Sequence, residues 1–171
     1  MVPTAGSTYA WTIIPGTGGA GSITSGSSPN NRISVTWTGS GTCVLQVNET
    51  TPTCSGLPVT IEVTVLPAFT PGTATADQSI CYNTIRALLN GTAPSGSTGT
   101  FTYQWESSTD GGTVWTAIPG ASGLTWQPGS LTQTTAYRLV QTAEGTCGTG
   151  LTNTVTITVK QEVVTSGIFH D

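Results

Sequence analysis

Nucleophilic catalysis needs a base beside a Ser or Cys, and this sequence has one histidine, His170, next to its C-terminus. A Ser–His or Cys–His pair is therefore not expected. Glycoside hydrolysis needs two carboxylates facing a cleft. The nearest pair, Glu106 and Asp110, flanks a turn in YQWESSTDGGTVW (103–115) and reads as solvated turn residues. Calcium needs clustered oxygen ligands, and Asp77, Asp110 and Glu144 are far apart, so only spatial convergence could bring them together. Cys43, Cys54, Cys81 and Cys147 contain no C-x-x-C pair for zinc. GTGGAGS (16–22) lacks the Lys and the following helix of a phosphate loop. These residues predict no metal, no cofactor and no catalytic site, hence a non-enzyme.

The charge pattern narrows the partners. Charged residues make up only 7% of the chain, well below the roughly 25% of ordinary soluble domains. The four basic residues, Arg32, Arg86, Arg138 and Lys160, are scattered. No basic patch can form, so nucleic acid is not an expected partner. No apolar run approaches the roughly 20 residues that span a bilayer, which excludes insertion as a helix. Met1 is followed by polar, turn-rich sequence with no signal peptide, which suggests a removed signal or a piece of a larger chain. An even cysteine count, abundant Thr and Ser and a single Lys suit an extracellular, oxidising setting. Buried free thiols are the other reading of the same cysteines. Asn48 and Asn90 each begin an N-glycosylation sequon, idle in a bacterial protein.

The elements that would position any site are strands. Thr and Val suit a pleated surface and Gly supplies turns. STYAWTII (7–14), RISVTWT (32–38), CVLQVNE (43–49) and VTIEVTV (59–65) form one set of strand signals. RALLNG (86–91), FTYQWESS (101–108), TVWTAI (113–118), LTWQP (124–128), AYRLVQT (136–142) and TVTITV (154–159) form a second. No helical period survives the Gly and Pro breaks. LPAFTPG (66–72) reads as the linker between the sets.

The two sets repeat one plan. Tyr9 and Trp11 match Tyr103 and Trp105, and each pair leads to a near-identical closing strand, VTIEVTV or TVTITV. The expected fold is all-β: two tandem sandwiches, residues 1–66 and 67–160, with a β-prone tail at 161–171. The first sandwich has only eight residues before Tyr9, so it is expected to lack its N-terminal strands.

Side chains alternate along a strand, so Tyr103 and Trp105 share a face. In an immunoglobulin-type sandwich a Trp at this place fills the space between sheets. Trp105, Tyr103, Trp11 and Tyr9 are therefore expected core pins. SSTDGG then makes a hairpin turn, with Trp115 on the returning strand. Tyr137 in LTQTTAYRLV is the candidate for a tyrosine corner. The residue two beyond it is Leu139, where antibody domains carry their inter-sheet cysteine. Cys81 and Cys147 are instead expected to staple loop ends of the second sandwich, worth about 4 kcal/mol by chain entropy. Cys43–Cys54 is the remaining pairing.

ICYNT…YQWESSTDGGTVWTAIPGASGLTWQPGSLTQTTAYRLV…GTCGTGLTNTVTITV resembles the Ig-like repeats of very large Bacteroidota surface proteins. STYAWTIIPGTGG…NRISVTWTGSGTCVLQVNETTPTCSGLPVTIEVTV resembles the PKD-like repeats that accompany them. Such repeats occur in gliding-motility adhesins of the SprB type and in other type IX secretion cargo. The resemblance spans nearly all of 7–160, implies a cell-surface location and an adhesive or spacer role, and carries no catalytic residues. The short front of the first domain and the extra Cys43 depart from the pattern.

Two functions are therefore expected to compete. One is an extracellular stalk or adhesive unit whose partners are neighbouring repeats or other copies of itself. The other is a sugar-binding module of a glycan-degrading system, with Trp115 and Trp126 stacking on surface glycans. The tail EVVTSGIF (162–169), with Val163, Val164, Ile168 and Phe169, is a candidate donor strand for the incomplete first domain of the next molecule. The favoured alternative is a longer repeat array cut in mid-module, with the tail as the first strand of the next domain.

Overall fold

The computed structural model describes residues 6–26, 32–84, 88–97, 99–146 and 148–161. The chain is all-β. It divides into two compact units, Met1–Ala68 and Phe69–Asp171. The division falls two residues beyond the expected cut, because Phe69 packs against Phe101 with ring centroids 6.3 Å apart and Thr70 bridges to Ser95. Residues 69–72 thus belong to the second unit rather than to a linker.

In unit 1, β1 (Thr8–Pro15), β4 (Gly41–Thr50) and β5 (Val59–Val65) form an antiparallel sheet with β4 in the centre. β2 (Ala20–Ser25) and β3 (Ser34–Gly39) form a second, two-stranded sheet, and β2 lies against β1 and β4. Directly paired residues share a face. The register therefore stacks Trp11, Val47 and Val59 in one row, Ile13, Leu45 and Ile61 in the next, and Pro15, Cys43 and Val63 in a third. Of these nine residues only Cys43 is buried; in its own row Pro15 is exposed and Val63 half-buried. Cys43 is fully buried because the chain at Gly19 passes so close that a Cβ there would lie 2.6 Å from its sulfur.

In unit 2 the larger sheet runs β6 (Gln78–Cys81), β13 (Val155–Lys160), β11 (Thr135–Ala143), β8 (Phe101–Ser108), β9 (Thr116–Ala117). β12 (Gly148–Leu151) pairs with the far end of β11. β6 runs parallel to β13 and the other pairs are antiparallel. The facing layer is β7 (Leu89–Asn90) with β10 (Thr125–Trp126), flanked by residues 70–75, which hydrogen-bond to 90–95. Trp105, Leu89, Leu139, Val155 and Ile157 fill the space between the layers at 0% exposure. Gly91 makes room for this core: a Cβ there would come within 2.6 Å of the Leu139 methyl. Gln141 is buried in the same interior and ties the layers together. Its carbonyl accepts from Gly72 N at 2.7 Å and its amide donates to Thr92 O at 2.8 Å.

The disulfide expectations are corrected. Cys43 and Cys54 both carry free thiols. Cys43 lies near one end of β4 and Cys54 turns back on Thr51 beyond the other end. Seven residue steps of strand carry the chain from Cys43 to Thr50, about 23 Å at the usual rise, far beyond bridging distance. Cys81 is also free and exposed. It sits beside Lys160, past the Thr135 end of β11, whereas Gly148 pairs at the Ala143 end. Cys147 itself lies outside the described residues.

Candidate functional site

The stretch 103–115 forms no simple hairpin. β8 ends at Ser108 and β9 begins only at Thr116, so Trp115 precedes the returning strand instead of lying on it. Asp110 organises the turn. Its carboxylate accepts from Ser108 Oγ at 2.6 Å, from Thr113 N at 3.0 Å and from Val114 N at 3.0 Å. The Ser108 hydroxyl first, then the Val114 and Thr113 amides, hold the carboxyl below its ordinary range. The order this carboxylate imposes is complete above the ordinary carboxylate pKa and fades as pH falls through the lowered folded value. Chemical-shift titration of Asp110 is expected to give a midpoint below that of a free aspartate, and Asp110→Asn to increase amide exchange at Thr113 and Val114. An ordinary midpoint with unchanged exchange overturns this assignment.

Beside this turn lies a small polar cluster. Arg138 faces outward between buried Tyr137 and Leu139 on β11 and pairs with Glu106 on β8. Its Nε donates to Glu106 Oε2 at 2.7 Å, and its guanidinium lies 4.2 Å from the centroid of Trp115. The indole N–H of Trp115 donates to Gly112 O at 2.9 Å. One face of Trp115 and its donor are thus occupied from within the domain. Sequence reasoning passed over Arg138, although its alternation with two core residues places it on the outer face. Glu106 is likewise an ion-pair partner on a strand, not a free turn carboxylate.

The other sequence candidates separate from this cluster. Trp126 is half-buried and packs on the core, so the packing alternative to a sugar platform is the one observed. Trp105 is wholly buried and donates its indole N–H to Gly123 O at 3.0 Å. Tyr103 packs on the same core. Tyr137 is 3% exposed, and burial pushes its phenol upward, partly offset by the Thr135 hydroxyl. Tyr9 is buried and donates to Glu49 Oε1 at 3.1 Å, while Trp11 is only half-buried. His170, Arg86 and the donor candidates Val163, Val164, Ile168 and Phe169 lie outside the described residues.

A cavity of about 530 Å³ opens at the β8–β11–β12 end of unit 2. Thr102, Thr142 and Thr149 form a cross-strand row there, and Glu144 accepts from Thr100. Among the described residues its lining holds one carboxylate and no base, thiol or cation. Among the described residues no group of three His, Cys, Asp or Glu side chains could hold a metal. Asp77 is spent on the Thr156 amide at 2.7 Å.

A family model for a domain of unknown function, DUF8696, matches residues 70–161, more than half of the chain. The chain belongs to the DUF8696 family. The matched stretch begins one residue inside unit 2 and ends just past β13. The DUF8696 domain is therefore the sandwich with the sealed core, and it carries the Trp115–Arg138–Glu106 cluster, the threonine row and Tyr137. No curated protein matches the chain.

Proposed function

We propose that the chain is a non-enzymatic extracellular segment of a bacterial surface protein, a pair of sandwich modules serving as stalk or adhesive unit. The observation that carries this reading is how the DUF8696 domain uses its reactive groups. Arg138 and Glu106 hold each other, Asp110 and Asp77 cap backbone amides, and Trp105 and Trp126 pack in or on the core. None of these is left poised over a cleft, whereas each stabilises the module. The low charge and the Thr-rich surface support an extracellular setting. The likeness to repeats of gliding-motility and type IX secretion proteins is the basis for a cell-surface location.

Sugar binding is the competing function, and Trp115 is its best remaining platform. On the structural reading, glycan arrays give no specific capture and soluble glycans do not quench tryptophan fluorescence. Specific glycan binding that Trp115→Ala reduces at least tenfold, with the domain still folded, would replace the stalk reading by the accessory-module one.

A further inference from the structure

Two strands of nearly the same sequence end in opposite surroundings. In VTIEVTV of unit 1, Val59 is 52% and Ile61 61% exposed, whereas in VTITV of unit 2 Val155 and Ile157 are fully buried. Each strand pairs antiparallel with the long strand beside it, β5 with β4 and β13 with β11. The difference lies in what covers them. β13 carries β6 on its other edge, with Ile80 beside Val159, and Leu89 of β7 joins the same core. Among the described residues β5 is the edge of its sheet, and the rows ending in Val59 and Ile61 run out to that edge. Further along the same face, the indole nitrogen of Trp11 is buried without a hydrogen-bond partner among the described residues.

We propose that residues 162–169 of a second copy of this chain add a strand along β5 and cover that face. This deepens the reading of the chain as a building block and rests on it.

Exposed edges are ordinarily guarded by Lys, Pro or bulges. β5 has no Lys or Pro and pairs with β4 in unbroken register, and its one charge, Glu62, projects from the polar face. The segment EVVTSGIF matches such an edge. It contains no Pro and its only charge is the first residue. Its eight residues extend to about 26 Å, against about 23 Å for the seven of β5. Alternation puts Val164 and Ile168 on one side and Val163 and Phe169 on the other, so either register brings apolar side chains toward Val59 and Ile61. Backbone pairing would supply the affinity and these side chains the register. A contact between the tail of one copy and the first unit of the next is heterologous and need not close.

Light scattering tests this on the full chain. At high concentration the expected mass is at least twice the single-chain 17.4 kDa and rises with concentration. Deleting 162–171 should return the single-chain mass, and so should Ile61→Asp, which alters an exposed residue and leaves the fold intact. Adding the peptide EVVTSGIF to the deleted chain should slow amide exchange across 59–65 at least tenfold. A full chain of single-chain mass overturns the proposal, including one whose β5 is protected from within its own chain. An oligomer that survives the tail deletion or Ile61→Asp overturns it as well. None of these outcomes touches the module reading, which fails separately if the chain of single-chain mass captures glycans or turns over a substrate.

Discussion

Trp105→Ala is expected to bring unit 2 to the edge of unfolding. Trp105 is fully enclosed by Leu89, Leu139, Tyr137 and Ala121 and anchors the segment around Gly123 through its indole N–H. Truncating a buried aromatic to Ala costs about 3–5 kcal/mol, since the cavity collapses only in part. The Gly123 carbonyl, left without its donor, adds about 1 kcal/mol. Domains of this size hold about 5–15 kcal/mol in all. The melting transition of unit 2 should therefore fall by about 15–50 °C, at about 4–8 °C per kcal/mol. Trp105→Phe keeps much of the volume and loses the hydrogen bond, so its loss should be less than half as large. Hydrogen exchange resolved along the chain distinguishes the units. Amides of β8, β11 and β13 should lose protection while those of β1 and β4 keep theirs. Uniform loss in both units, or a transition that moves by under 5 °C, contradicts the role of Trp105 as the pin of this core.

This core was the most legible part of the sequence because alternation is a local signal. Trp105 with Tyr103, and Leu139 with Tyr137, declare their faces by spacing two apart, and the core uses those faces. The long strands β1, β4, β5, β8 and β11 were readable for the same reason. Three others were not. β2 starts in the Ala-Gly-Ser of a Gly-rich stretch that carries no strand signal, and is held by its partner β3 rather than by its own propensity. β6 is four residues long and depends on β13. β12 carries glycines at Gly148 and Gly150, under Phe69 and Pro71, where a Cβ would come within 3.0 Å of those side chains. Each of these is made by tertiary neighbours, which no local pattern announces. Cysteine pairing was illegible for a related reason. Cys43 and Cys54 were paired as the two cysteines of the first domain, but a ten-residue strand carries them apart. The site residues divide likewise. That Arg138 faces outward follows from alternation, while its seat over Trp115 depends on a seven-residue excursion between β8 and β9 whose path is set by Asp110.

The same substitution placed in the twin strands should separate the two units most sharply. Ile157→Asp puts a carboxylate at a position of 0% exposure, between Thr135 on β11 and Gln78 on β6. No described cation of the same sheet faces it: Arg138 projects from the opposite face of β11, and Lys160, three residues along β13, does likewise on its own strand. Burying an unpaired charge, or protonating it to avoid doing so, costs several kcal/mol, and the lost isoleucine packing adds to it. A total of about 5 kcal/mol or more is the range in which single domains fail to fold. Ile61→Asp changes the equivalent residue of VTIEVTV, which is 61% exposed at an edge. A solvated carboxylate there loses little packing, so the stability of the dilute single chain should change by under about 1 kcal/mol. Exchange protection measured on both variants at low concentration decides the matter. β13 and β11 should lose protection in Ile157→Asp, while β4 and β5 should stay close to the parent chain in Ile61→Asp. Equal damage from the two substitutions would mean that Ile61 is covered in the single chain as Ile157 is, and the open face of unit 1 would then need no second copy to cover it.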